Sequence, residues 1–493
     1  MKKAIFSVFA IFSCFSTLCH AQSDGNSFTN TGRGCATTFA TDYQAIGTNP
    51  ANLGWKPKYE TKFTMGYAEF AGSVFSDSLG KSSLRKAVTD MITGNSANLD
   101  RQQKLQAASN FTQSDFIMNA DVTSFGFAVQ TKHAGGFAFR INDHFQWYSK
   151  LGSDAASLIF LGNTSSLFNQ LTIKVGSSTQ TINNHPGLSP DTANMVVQGT
   201  TNAPKLLSKI LDGSHMQMTW YREYNLSYGA KLLGKDSVFA IYGGLGVKYI
   251  QGMAMFDIKS EGGVLTGFSS LSPSFGVDYG TAAAQAKAVA GGGFPPKSVG
   301  NGFGVDMGAS IIIKGRLKLG VSLINVGAVS WTGNVYQLKD TMMVSLKSSG
   351  VQNLNLATQM KNMLGPDGMF KVTGQQSYKT VLPGMFRTGA SLRLTKQFEV
   401  GVDAVIPTNT TVPGSIKNPI LAAGVDFMPV KWLKLQTGIV VGGNYPYQIP
   451  VGVVFIGKGG HYEAGIASRD AVTFFIQQGS TMSFSTGFMR FRF

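Results

Sequence analysis

Apolar side chains alternate with small or polar ones along much of this 493-residue chain, and this period-two pattern is the feature that most limits its fold. Between Gly136 and Trp147, Phe, Ile and Trp fill most odd positions, while Gly, Ala, Asn and Gln fill most even ones. Successive side chains of a strand point to opposite faces, so the pattern predicts strands with two unlike faces. The non-apolar face carries few long charged side chains, which suits a narrow lumen better than the wet side of a soluble sandwich.

The same alternation marks fifteen candidate strands along the chain. They are 59–70, 118–131, 136–148, 216–233, 237–253, 302–313, 316–329, 384–396, 397–406, 419–429, 432–442, 450–457, 460–467, 471–478 and 482–493. Single-chain bacterial barrels normally have an even number of strands, so one candidate is false or one strand is missing. The doubtful region is 443–481, where the segments are shorter than the roughly 9 to 11 residues that a tilted spanning strand needs.

The N-terminus predicts export. Lys2 and Lys3 precede an apolar run from Ala4 to Leu18, and a small-x-small pattern ends before Gln22, which is typical of a cleaved signal peptide at 1–21. No later stretch approaches the roughly 18 to 20 apolar residues of a membrane helix. An exported membrane protein without such a helix must be a closed β-barrel. We therefore expect an all-β transmembrane antiparallel barrel over residues 59–493, in the outer membrane of a Gram-negative bacterium.

The connections between candidate strands alternate between short and long. Short ones at 132–135, 234–236, 314–315 and 430–431 contrast with long insertions at 72–117, 149–215, 254–301 and 330–383. This alternation places the insertions on one face, as in outer-membrane barrels with short periplasmic turns and long external loops. Apolar residues at helical spacing, near 84–92 and 206–211, predict short helices in these loops. The loops are either a lid over the barrel mouth or packing without a ligand role.

Composition and motifs argue against other functions. The formal net charge is +16, from 42 Lys and Arg against 26 Asp and Glu, but the basic residues are dispersed, so no nucleic-acid partner is expected. No histidines follow the spacing of a helical zinc site, and Cys35 is the single cysteine after Ala21. No nucleophile elbow or phosphate loop is found. We predict no metal, no cofactor and no enzymatic activity.

A stretch near the N-terminus, Ala45–Gly54, predicts a folded-back turn. Pro50 fixes its own φ and favours an extended Asn49, while Gly47 and Gly54 permit sharp bends. A compact, non-helical turn is expected here. The segment 22–58 is therefore the candidate plug of the barrel.

The motif Asn49-Pro50-Ala51-Asn52-Leu53-Gly54 resembles the long-chain fatty acid transporter (FadL-like) superfamily of outer-membrane barrels, whose N-terminal hatch carries an Asn-Pro-Ala turn. Short Gly-rich stretches similar to strand segments of that superfamily are 244–250, 305–309, 322–327 and 382–384. The resemblance implies about 14 strands, with 16 as the alternative. It also implies a hatch that occludes the lumen, formed by Asn49, Pro50, Ala51, Leu53 and Gly54.

The C-terminus ends on Phe493, with apolar residues at every second position back to Met489. This resembles the final strand that barrel-assembly machinery recognises in bacteria, which makes Phe491 and Phe493 the candidate assembly signal. An ordinary edge strand that ends at the terminus is the alternative.

By resemblance, the expected function is passive uptake of a hydrophobic, fatty-acid-like molecule through a hatch-gated barrel. The same superfamily is similar to barrels of the type IX secretion pathway, so the alternative is a non-transporting scaffold or shuttle that binds secreted proteins. A hatch that simply seals the barrel is the third possibility. Expected partners are outer-membrane lipid and lipopolysaccharide, the barrel-assembly machinery, and either a hydrophobic ligand or secreted proteins.

Overall fold

The computed structural model describes residues 27–56, 62–76, 99–131, 134–293, 295–352, 356–412, 414–416, 418–443, 445–472 and 480–493. The predicted signal peptide at 1–21, the helical spacing near 84–92 and His133 lie outside these residues.

Strands dominate the described chain. In chain order they are β1 Phe63–Ser76, β2 Phe116–Gln130, β3 Gly136–Lys150, β4 Gln170–Val175, β5 Ser178–Asn183, β6 Val196–Leu206, β7 Ser214–Lys235, β8 Phe239–Glu261, β9 Val264–Leu271, β10 Gly300–Ile313, β11 Leu317–Trp331, β12 Val335–Leu338, β13 Met342–Leu346, β14 Val372–Gln375, β15 Tyr378–Val381, β16 Met385–Arg393, β17 Phe398–Pro407, β18 Ile420–Val430, β19 Leu433–Gly442, β20 Tyr445–Gln448, β21 Val451–Gly457, β22 Tyr462–Ser468 and β23 Ser480–Arg492.

Fourteen of these strands form a closed ring. Their order is β1, β2, β3, β7, β8, β10, β11, β16, β17, β18, β19, β21, β22 and β23, and every neighbouring pair is antiparallel. The ring closes because β1 pairs with β2 on one side and with β23 on the other, so that Met65 lies opposite both Phe127 and Phe491. The predicted antiparallel barrel of about 14 strands is confirmed.

The surplus candidate strand is 471–478. Strands β22 and β23 pair directly, and residues 471 and 472 form a turn, while 473–479 lie outside the described chain. The doubtful segments near 450–467 belong to the ring as β21 and β22, although each has only seven residues.

The ring has two different ends. Short connections lie at one end, here called the short-turn end, and their described residues are 131, 134–135, 236–238, 314–316, 394–397, 431–432 and 458–461. The ring also begins and finishes there, where the Lys62 amide donates to the Phe493 carbonyl at 2.7 Å. The insertions emerge at the opposite, long-loop end. The insertion predicted at 254–301 begins too early, because β8 continues to Glu261 and then forms a hairpin with β9.

The insertions at the long-loop end pack into an outer cap, made of residues 151–213, 262–293, 295–299, 332–352 and 356–384. A second sheet, in the order β13-β6-β4-β5, joins the first and third of these insertions. Six methionines are buried in the main apolar core, which lies in the cap and the adjoining strand ends: Met216, Met218, Met343, Met360, Met363 and Met369. The cap is therefore a packed body at the long-loop end of the ring.

Helices are short in the described chain. The α-helices are Phe28–Thr31, Arg101–Phe111, Ser153–Leu161, Pro190–Asn194, Leu207–Ile210 and Leu356–Leu364, and the 3-10 helices are Asp42–Ala45, Pro50–Gly54, Gly162–Thr164, Pro273–Phe275, Gly280–Gln285 and Lys458–Gly460. No helix among the described residues is long and apolar enough to cross a membrane.

A charge placed on the outer wall tests which surface faces lipid. Val247 of β8 and Val344 of β13 are exposed to 56% and 52%, but the first lies on the ring and the second on the cap sheet. Val247→Arg should destabilise the barrel by about 2 kcal/mol or more, because an arginine must leave water for hydrocarbon. Denaturant unfolding in phospholipid vesicles measures the loss.

Val344→Arg is the matched control and should change the free energy of unfolding by less than about 0.5 kcal/mol. Equal losses for the two variants would contradict a lipid-facing ring.

Candidate functional site: the N-terminal segment inside the barrel

The N-terminal segment, residues 27–56, lies inside the ring and is almost entirely buried. It contacts strands from opposite parts of the wall. The Asn49 side-chain amide donates to the Ala309 carbonyl on β10 at 3.2 Å, and the Arg490 guanidinium on β23, six strands away around the ring, donates to the Asp42 carboxylate at 2.6 Å. Such contacts on distant strands place the segment across the lumen.

The Asn-Pro-Ala motif begins a 3-10 helix. Asn49 is extended, with φ −153°, and its side-chain oxygen accepts a hydrogen bond from the Ala51 amide at 3.1 Å. Pro50 occupies the first helical position, where its fixed φ is favourable and its missing N–H costs nothing. The predicted non-helical turn is therefore wrong in detail, since Pro50–Gly54 is helical. The bend before it is made at Gly47, whose φ is +71°.

A row of wall glycines receives this turn, and we call it the glycine seat. Gly136, Gly229, Gly244 and Gly308 are paired one to the next across β3, β7, β8 and β10. A Cβ atom at any of them would lie between 2.1 and 2.4 Å from an atom of residues 49–53. These glycines leave room for the backbone of the N-terminal segment at Gly136, Gly229 and Gly244 and for the Asn49 side chain at Gly308.

All five predicted hatch residues meet at this seat. Asn49, Ala51 and Leu53 are 0% exposed, and Pro50 is also buried. A Cβ on Gly54 would come within 2.8 Å of the Ala230 backbone, so this position also requires close approach of two backbones.

Polar contacts that sequence reasoning missed fix the rest of the segment. Arg33 contacts Asp426 at 2.7 Å, and Asp42 contacts Arg490 at 2.6 Å. Asp403 accepts hydrogen bonds from the backbone amides of Ala36 and Thr37 at 2.6 and 2.8 Å. The available signal was a charged side chain on the luminal face of a strand, but its partner is several hundred residues away.

Trp55 also docks on the wall. Its indole N–H donates to the Ser310 hydroxyl at 2.9 Å, and Lys318 lies over the indole ring at 5.0 Å. This aromatic residue, outside the predicted hatch motif, ties the end of the segment to β10 and β11.

A row of buried charged side chains crosses the wall on the long-loop side of the seat. His144 hydrogen-bonds to Asp121 and lies 3.5 Å from Glu223. Lys248 lies 3.6 Å from Glu223 and 3.2 Å from Asp306. Opposite charges adjoin along the row, so each compensates the desolvation of its neighbour. In the described chain, no group of three or more His, Cys, Asp or Glu is arranged to hold a metal ion.

A side chain at the glycine seat should displace the N-terminal segment. We expect Gly244→Val to prevent residues 49–53 from docking, because its methyl groups would overlap their backbone. Cys35 reports the displacement, because it is 0% exposed and packs against β17 and β18. In a chain that starts at Gln22, its rate of reaction with a maleimide should rise at least about tenfold in folded barrels, as expected when a buried thiol becomes accessible.

Gly243→Ala is the control, because a Cβ there meets a flexible Leu232 side chain rather than the segment. A Gly244→Val protein that is folded and as slow to react as Gly243→Ala would show that the seat does not hold the segment.

Comparison with known proteins gives a family and several structural likenesses. The profile of a family of unknown function, DUF5723, matches residues 50–455. No curated protein sequence matches the chain. Among solved structures, the toluene transporter TodX of Pseudomonas putida is similar, with 10% identity, 97% of this chain and 99% of that chain covered, and a TM-score of 0.42.

Two further structures are similar. A FadL homologue of Pseudomonas aeruginosa has 11% identity, with 94% of this chain and 96% of that chain covered and a TM-score of 0.39. The monoaromatic hydrocarbon channel CymD has 8% identity, with coverage of 95% and 98% and a TM-score of 0.39. These are barrels of the class that the sequence resembles. At such identities and TM-scores they support no statement about a ligand, and the barrel is established by its own strand pairing.

Proposed function

The chain belongs to the family of unknown function DUF5723, and we propose that it is an outer-membrane channel for a small hydrophobic molecule, gated by the N-terminal segment as a hatch. The observation that carries the proposal is the enclosed segment at the glycine seat. Three of the four wall glycines meet backbone atoms of the segment and Gly308 meets the Asn49 side chain, so the segment occupies the lumen with no wall side chain between.

The cap supports an apolar ligand. Its buried core contains Met343, Met360, Met363 and Met369, and Met216 and Met218 of β7 adjoin it. Methionine is unbranched and polarisable, so a methionine-rich core can repack around apolar molecules of different shape. The ligand enters through this core from outside the cell and is released when the hatch moves.

The row of charges from Asp121 to Asp306 favours a gate over an open pore. These side chains are buried, and they pair with one another between the cap and the seat. An apolar ligand gains nothing from contact with them. The proposal therefore places the ligand-binding surface in the cap, and the wall at this level holds the hatch in position.

Ligand uptake tests the proposal. Cells that produce the protein should take up a radiolabelled monoaromatic or alkane probe faster than cells without it. Met360→Ala, at a fully buried cap position, should weaken uptake several-fold because it leaves a cavity in the ligand surface. Met307→Ala is the matched control, since Met307 is 42% exposed on the outer wall and should leave uptake unchanged.

Conductance tests the hatch separately. In planar bilayers, deletion of residues 22–56 should convert a closed barrel into an ion-conducting pore, because the ring interior is lined by polar side chains. The full-length protein and Gly243→Ala should stay closed. Uptake that is absent for every apolar probe, with the hatch present or deleted, would refute the hydrophobic channel, whatever the conductance.

The C-terminal residues are proposed to guide assembly. Phe493 ends the chain at the short-turn end and is 63% exposed, while Phe491 pairs with Met65. An exposed terminal aromatic on the closing strand is accessible to barrel-assembly machinery. The ring surface, rich in exposed apolar side chains, is proposed to contact outer-membrane lipid, with lipopolysaccharide around the cap.

A second candidate function is supported by the cap sheet. The insertions 149–215 and 330–383, proposed to bind secreted proteins, together build the sheet β13-β6-β4-β5. In the described chain β13 pairs on one side, and its Met342 and Val344 are exposed to 51% and 52%. Such an edge can accept a strand from a partner. A pull-down from native membranes whose partners are unchanged by Met342→Lys with Val344→Lys rules this candidate out.

A further inference from the structure

A cavity of about 500 Å³ lies at the short-turn end of the lumen, between the N-terminal segment and the wall. The segment contributes Arg33, Phe39 and Trp55 to its lining. The short turn 394–397 contributes Lys396, and ends of ring strands provide the remainder. The cavity lies away from the cap, on the other side of the glycine seat.

Positive charge predominates in the lining. Among the described residues, eight Lys and Arg side chains line the cavity, against five Asp and Glu. The cations are Arg33, Lys56, Lys318, Arg393, Lys396, Lys434, Arg490 and Arg492, and the anions are Asp42, Asp236, Glu399, Asp426 and Glu463. The excess of cations lies on the exposed side chains of Lys56, Arg393 and Lys396, so the open side of the cavity attracts an anion toward the more buried charges.

The cations share their carboxylates. Glu399 lies 2.8 Å from Lys318 and 3.6 Å from Arg393. Glu463 lies 2.7 Å from Arg490 and 3.3 Å from Lys434. Each of these two carboxylates is therefore close to more than one cation and compensates part of the charge of each.

Arg490 provides a second, independent sign of a ligand. Its side chain is 3% exposed, yet its Nε is a buried donor without a hydrogen-bond partner among the described residues. A charged donor left unpaired in a buried site is costly. Because this Nε has no accessible surface of its own, an oxyanion would satisfy it after the Arg490 side chain turns toward the cavity that it lines.

We propose that this cavity binds an oxyanion, namely the carboxylate, sulfate or phosphate group of a small ligand. Lysine and arginine are the side chains that bind such groups with charge-assisted hydrogen bonds. Aromatic surface adjoins the charges: Arg33 lies 4.0 Å from the Phe39 ring centroid, and Lys318 lies 5.0 Å from the Trp55 ring. The site can therefore hold a free anion or the acidic head of a partly apolar molecule, and it does not depend on the proposed uptake function.

Isothermal titration of the purified full-length chain in non-ionic detergent tests the site. The probes are inorganic phosphate, octanoate and, as the uncharged counterpart of octanoate, octanol. Wild type should bind at least one of the two anions and bind octanol more weakly than octanoate. Lys434→Gln should weaken anion binding about tenfold, the value of one charge-assisted hydrogen bond, and leave octanol unchanged.

Lys347→Gln removes the same charge from an exposed cap residue and should bind anions like wild type. Lys318→Gln, on the other shared carboxylate, is a second test variant if Lys434→Gln fails to fold, as judged by heat-modifiable electrophoretic mobility. Binding of both anions identifies a site for free oxyanions, and binding of octanoate alone identifies an acidic head with an apolar tail.

Three outcomes would overturn the proposal: neither anion binds to wild type, octanol binds as tightly as octanoate, or both folded cavity variants bind anions as Lys347→Gln does. None of these outcomes depends on the uptake of apolar probes. The site and the proposed channel can therefore fail separately.

Discussion

The pairing of the first and last ring strands is the contact on which the barrel depends. In hydrocarbon, a strand with an unpaired edge leaves a row of backbone N–H and C=O groups without partners, at several kcal/mol for each group. Strand β1 avoids this cost because its two edges are hydrogen-bonded to β2 and β23. Closure fixes the number of strands and so the width of the lumen. Everything inside the ring has to fit that width.

The wall accommodates the N-terminal segment by two different means. At the glycine seat it omits side chains, so backbone meets backbone at Asn49–Leu53. Around the rest of the segment it supplies carboxylates and guanidinium groups, such as Asp403 and Arg490, that hold polar groups of the segment. The glycine seat gives the wall a shape that fits the segment, and the charged side chains fix the orientation of the segment. Shape alone would admit the segment in more than one register, so the polar contacts are needed to fix its position.

Sequence alone predicted the ring well, because a wall with lipid on one side and a polar lumen on the other imposes strict alternation. The limits of β8 show where this signal ends. The alternation predicts a strand that ends at residue 253, but β8 continues to Glu261. Met255 and Phe256 are neighbours in sequence and both are 0% exposed, because the cap covers the strand on both faces. With two buried faces, the period-two pattern disappears.

The five residues of the predicted hatch can be picked out from the sequence because they are contiguous and resemble a known motif. The anchors of the segment were missed because each contact joins distant positions: Asp42 to Arg490, or Ala36 to Asp403. The cap sheet was missed for the same reason, since β13 and β6 come from different insertions. The predicted backbone conformation of the Asn-Pro-Ala turn is wrong because proline and glycine occur both in open turns and at the ends of 3-10 helices.

The contact between Met65 and Phe491 joins residues more than 400 positions apart, while the N-terminal segment already lies within the ring that this contact closes. Bringing such distant positions together carries a large loop-closure entropy, so the seam between β1 and β23 is expected to form last. The segment must then either dock on an open, partly curled sheet or be threaded into a finished barrel. Docking on the open sheet requires no passage through a narrow mouth. The glycine seat is available for this docking, because none of its four adjacent strands borders the seam. The topology therefore favours docking of the N-terminal segment before β1 and β23 pair.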